Sequence, residues 1–121
     1  MSYTAYKQTQ KITLSDRKIQ AHVLRHAAYL FKKIQDSNDL SGLNDALKYN
    51  LKFWTIVQGD CLENDCPLPD ALKANLISLS IYIDKKTFEM FSNPDLSVLS
   101  SFIIINNNIA KGLECDVIND N

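Results

Sequence analysis

Glycine and proline are scarce, with three of each in a chain of 121 residues. So few turn formers leave little room for a many-stranded β architecture, in which tight turns recur, and they favour helices. A basic excess is also missing. Thirteen Lys and Arg against fourteen Asp and Glu leave a net charge of −1, which provides no electrostatic footprint for nucleic acid or an anionic membrane. No run of about eighteen apolar residues occurs, so no membrane insertion is expected. The opening MSYTAYKQTQK lacks the apolar core of a signal peptide, and a cytoplasmic location is expected. Three cysteines, an odd number without regular spacing, build no disulfide framework.

Chemical motifs are equally sparse. Gly42, Gly59 and Gly112 stand alone and form no phosphate-binding loop. His22 and His26 lie four apart on one helix edge, but no HExxH motif accompanies them. Cys61 and Cys66 bracket LEND without a second pair to complete a zinc set, and Cys115 reads as a free thiol. Lys32–Lys33 and Lys85–Lys86 read as solvated surface. The expectation is a protein that is not an enzyme, holds no cofactor or metal, and works by binding.

What is present is helical periodicity. Ser15 reads as an N-cap for a helix over 16–36, with a stripe of Ile19, Val23, Ala27, Leu30, Phe31 and Ile34. DSNDLSG signals a turn. A second helix is expected over 41–58, stopped near Gly59. After the proline-containing loop, a third runs over 69–92 until Pro94 breaks the ladder. A fourth starts near Asp95 and ends close to Gly112. The stretch FIIINNN also suits a buried strand, but apolar spacing persists from Leu96 to Leu113, too long for an ordinary strand. The fold class is therefore all-α: a single small domain over 1–121 of about four helices, bundle-like. Residues 1–14 are expected to be a mobile arm and 114–121 a frayed tail.

Two polar residues interrupt the apolar faces. On the second helix Leu43, Ala46, Leu47, Phe53, Trp54 and Val57 share one side. Asn50 falls within it, about 60° from Leu47 and about 40° from Trp54 at about 100° per residue. On the fourth helix Asn106 sits in an arc of Leu96, Leu99, Phe102, Ile103, Ile109, Ala110 and Leu113. A buried amide without a partner costs about 1–3 kcal/mol. Asn50 and Asn106 are thus expected either to bond each other or to hold a backbone carbonyl, fixing helix register as buried Asn does in coiled coils. The alternative is that they line a groove and bond a partner's backbone. The third helix has two stripes: Leu72, Leu76, Leu79, Ile83 and Met90, and, displaced around it, Ile77, Ile81, Phe88 and Phe91. A helix apolar on two sides is central in a bundle or presents one side to a partner.

These segments together resemble the FlaF family of flagellar biosynthesis regulators, from Ala5 to about Leu113. Ala5–Tyr6 is similar to the family's N-terminal signature. SDRKIQAHVL is similar to the start of its first helix, with Ser15, Arg17, Ile19 and Leu24 in place. NLKFWT supplies Asn50, Trp54 and Thr55. LPDALKANLISLSIYID is the most specific segment, with Leu68, Pro69, Leu72, Ala74, Ile77, Ser78, Leu79 and Asp84. INNNIAKGL supplies Ile105, Asn106, Asn108, Ile109, Gly112 and Leu113. The chain departs from the pattern at Gln20 and Ile104, where acidic residues are common, and at Tyr82, where Trp is common.

The resemblance implies a role in supplying flagellin to the flagellar export machine. One mechanism is a cytoplasmic secretion chaperone that binds new flagellin and promotes its synthesis and export. The other is post-transcriptional regulation of flagellin expression, acting through a regulatory partner protein or messenger RNA; the partners the resemblance implies are flagellin and, beside it, a flagellin translation regulator or an export-apparatus component. The balanced charge weighs against direct RNA binding, which needs clustered Lys and Arg. Under the chaperone reading, Ile77, Ile81, Phe88 and Phe91 would cover an amphipathic flagellin helix. Tyr3 and Tyr6 would close over the same surface in its absence. Asn50, Asn106 and Trp54 form the expected polar core.

Overall fold

The computed structural model describes residues 14–63 and 68–119; the expected arm up to residue 13 and Cys66 lie outside them. The described chain is four α-helices: α1 Leu14–Ser37, α2 Leu43–Cys61, α3 Asp70–Ser92 and α4 Leu96–Asn119, with a 3-10 turn at Leu40–Gly42 between α1 and α2. No strand occurs among the described residues, and FIIINNN is part of α4.

Local chemistry sets the boundaries. α1 ends at Asn38, whose φ of 58° is a left-handed conformation that Asn tolerates better than most residues. Its N–H bonds the Ile34 carbonyl at 2.9 Å. Asp39 then caps the 3-10 turn by accepting from the Ser41 N–H at 3.0 Å. Before α4, Pro94 cannot continue a ladder, and Asp95 caps the new helix by accepting from the Ser97 N–H at 3.0 Å and its hydroxyl at 2.6 Å. These bonds favour the ionised carboxyls, so the pKa of Asp39 and of Asp95 falls below the usual value.

Two expected stops do not operate. α2 continues through Gly59 to Cys61, and α4 continues through Gly112 to Asn119. Neither glycine has a positive φ, so neither forms the left-handed cap that ends a helix. Continuing α2 buries Cys61. Continuing α4 brings Glu114 to Arg25, whose guanidinium donates two bonds at 2.8 and 3.0 Å. The Arg25 hydrogen bond holds the Glu114 carboxyl below its ordinary pKa, and the same bond raises that of Arg25.

α1 and α4 form the most closely packed pair. Arg25 meets Glu114, Leu24 meets Asn106, Phe31 meets Phe102 and Gln35 meets Leu96, so the two run antiparallel. Buried Ala21, Ala27 and Ala110 let the backbones approach, since interaxial distance follows side-chain size at the contact. α2 packs on α3 and, more loosely, on α1. α3 reaches α4 through Tyr82, whose hydroxyl lies 2.9 Å from that of Ser101 and whose ring meets Phe102 edge-on. Ile19, placed on the core stripe by periodicity, is exposed. The core line of α1 instead passes through Ala21, Leu24, Ala28 and Phe31, because α4 rather than α2 is its close partner. Among the described residues, no helix is long and apolar enough to cross a membrane.

Candidate partner interface

The bundle interior holds a polar relay. Asn50, Trp54 and Asn106 are all buried. The Trp54 indole N–H donates to Asn106 Oδ1 at 3.1 Å. Asn106 Nδ2 donates to Asn50 Oδ1 at 2.7 Å and to the Leu24 carbonyl at 3.4 Å. One amide therefore ties α1, α2 and α4 together. α2 and α4 meet through these side chains across the centre, whereas α4 lies along α1 over its length. The amides are too deep to bond a partner's backbone. Asn50 Nδ2 and Thr87 Oγ1 are buried with no bond partner among the described residues.

The second stripe of α3 divides. Ile77 and Phe91 are half-buried against the core. Ile81 and Phe88 are 55% and 61% exposed, and the Phe88 ring packs edge-on against Phe91 at 5.9 Å. The result is a ridge of two projecting apolar side chains on a half-buried base. Asp84 lies on the same side of the helix, three residues after Ile81 and four before Phe88. It is partly buried, and desolvation raises its pKa. No hydrogen bond or ion pair joins Asp84 to another described residue, so a cationic partner group would relieve its desolvation. Periodicity found the four apolar positions; Asp84 stood in the sequence only as a residue of the segment LPDALKANLISLSIYID, with no role attached to it. Tyr3 and Tyr6, expected to close over this surface, lie outside the described residues.

A second surface escaped sequence reasoning altogether. Between α1 and α2 run two cavities of about 740 and 310 Å3 that share Tyr49 as a wall. The smaller is lined by Ile19, Val23, Phe53, Ile56 and Val57 with Lys52 at its edge. The larger is lined by Leu30, Ile34 and Ala46, and carries Asp36, Asp39 and Asp45 against Lys33. His26 stacks on Tyr29 and meets the Tyr49 ring edge-on at 5.6 Å. His22 and His26 are stacked and exposed on this side. Among the described residues, no three His, Cys, Asp or Glu side chains gather in an arrangement fit for a metal ion.

The family model described as flagellar protein FlaF matches residues 2–113. No curated protein and no solved structure matches the chain.

Proposed function

The chain belongs to the FlaF family of flagellar proteins, and from that membership we infer that it binds flagellin in the cytoplasm as a chaperone before export. The observation that carries this reading is the α3 ridge, where Ile81 and Phe88 stand exposed on a packed bundle. Two large apolar side chains seven residues apart lie on one side of a helix, the spacing that meets the apolar stripe of a partner helix. Terminal helices of a subunit waiting for assembly expose such stripes, and covering them keeps the subunit soluble. Asp84, between the two anchors, offers a carboxylate to a Lys or Arg beside the partner's stripe. This work needs recognition and release rather than bond chemistry, so no catalytic role is assigned.

The test is retention of purified flagellin monomer on the immobilised protein at low and high salt. Retention that survives high salt is the expected result, since screening weakens exposed charge pairs far more than apolar contacts. Absence of flagellin at both salts, with salt-sensitive RNA recovered from cell extract instead, would favour the regulatory reading.

A further inference from the structure

We propose that the groove between α1 and α2 docks an amphipathic helix of a partner protein, anchored by an arginine of that helix held between Asp45 and Tyr49. The site is built on other helices than the α3 ridge and does not depend on what binds there. α1 packs on α2 less closely than on α4, and the trough between them leaves large apolar side chains exposed. Ile19 and Ile56 stand at its narrow end, and Tyr49 stands where the two cavities meet. Both walls are helices, whose backbone groups are already bonded within each helix. An extended occupant would find no backbone partners in such a trough. A helix brings its own backbone bonds satisfied and lays one apolar face on the floor.

Charge and shape at the broad end select a cation. Asp45 and Tyr49 are four apart on α2, so they share one side of it, and both line the cavity of about 740 Å3. The other charged groups of that cavity are engaged within the chain. Asp36 pairs with Lys32 at 3.2 Å, Asp39 accepts from the Ser41 N–H, and the Lys33 ammonium lies 5.7 Å from the centre of the Tyr29 ring. Asp45 forms no hydrogen bond or ion pair with another described residue. The His26 ring lies 5.6 Å from that of Tyr49 at 84° to it, which limits how the tyrosine turns. A guanidinium laid on the Tyr49 ring bonds the Asp45 carboxylate with its fork, and its apolar stem crosses Leu30, Ile34 and Ala46. A lysine ammonium neither stacks on a ring plane nor bonds a carboxylate through a rigid fork. Asp45 and Phe53, which lines the narrow cavity, stand about 12 Å apart along α2. The partner helix therefore carries its arginine about two turns from the aliphatic side chain that fills the narrow end.

The isotopically labelled full chain is titrated with a synthetic peptide of about eighteen residues, long enough to hold a helix. It carries leucines at helical spacing and one arginine about two turns from them. A second peptide has citrulline, flat but uncharged, in place of the arginine. The expected result is a set of amide shifts confined to α1 and α2 beside the groove, with about tenfold weaker binding of the citrulline peptide. Asp45→Asn should bind the two peptides equally, whereas Asp36→Asn, whose partner is Lys32, should keep the preference for arginine. Equal binding of both peptides by the unsubstituted protein, or no shifts with either, overturns the proposal. So do shifts centred on Ile81 and Phe88, which would mean that any exposed apolar surface takes the peptide. Loss of the preference in Asp36→Asn also overturns it, because general acidity rather than Asp45 would then select the cation. Groove shifts that grow with protein concentration before peptide is added would place a second copy there and overturn it as well.

Discussion

Asn106→Leu is expected to lower folding stability by about 3 kcal/mol, from two buried groups stranded at about 1–3 kcal/mol each. Leu nearly matches Asn in reach, so no large cavity opens, and the loss is one of hydrogen bonding. The Trp54 N–H loses its acceptor at 3.1 Å and Asn50 Oδ1 loses its donor at 2.7 Å. The Leu24 carbonyl, inside α1, keeps its own helical N–H. Asn50→Leu should cost less, about 1 kcal/mol. It strands one hydrogen of Asn106, but it also removes an Nδ2 that has no bond partner among the described residues. The double change to Leu is expected to cost no more than Asn106→Leu alone, because the stranded Asn50 oxygen disappears with it. It does not restore full stability, since the Trp54 N–H stays unpaired. Urea unfolding of the three variants checks this. Strictly additive losses would mean that the amides are not coupled.

Trp54→Ala is expected to be the most damaging single change, at about 3–5 kcal/mol. Trp54 is among the largest fully buried side chains, and its removal leaves both a cavity and an unpartnered Asn106 Oδ1. Small domains hold only about 5–15 kcal/mol in all, so much of the folded margin would be lost. Trp54→Phe keeps most of the volume and loses only the N–H, and should cost about 1–3 kcal/mol. Because Trp54 is the only tryptophan, unfolding is followed by far-UV circular dichroism rather than fluorescence. Equal losses in the two variants would show that packing contributes little and the hydrogen bond dominates.

The amides were legible from sequence because rotation about a helix axis is a property of one segment. Asn50 sits between Leu47 and Trp54, and Asn106 sits among Phe102, Ile103 and Ala110, whatever the neighbours are. The indole bond was not legible, because it depends on how far α2 and α4 stand apart. The same limit explains Ile19. Its stripe is real, but only the placement of α4 decides which edge of α1 is core. The α3 stripe divides for this reason too, with Ile77 and Phe91 sheltered by neighbouring helices and Ile81 and Phe88 left projecting. Gly59 and Gly112 misled because a glycine ends a helix by taking a left-handed φ, and nothing in the residue itself says whether it will. The α1–α2 groove had no sequence signal at all, since a gap between helices is set by two elements whose spacing is a tertiary fact.

The α3 ridge carries the functional reading, and the paired substitution Ile81→Asp with Phe88→Asp tests it most directly. Both side chains are more than half exposed, and surface changes of this kind usually move stability by only about 0.5 kcal/mol. Thermal melts and flagellin retention at high salt are measured on the same preparation. The expected result is a melt close to that of the unsubstituted protein with flagellin retention abolished. A variant that melts normally and still retains flagellin would contradict the ridge as the docking surface.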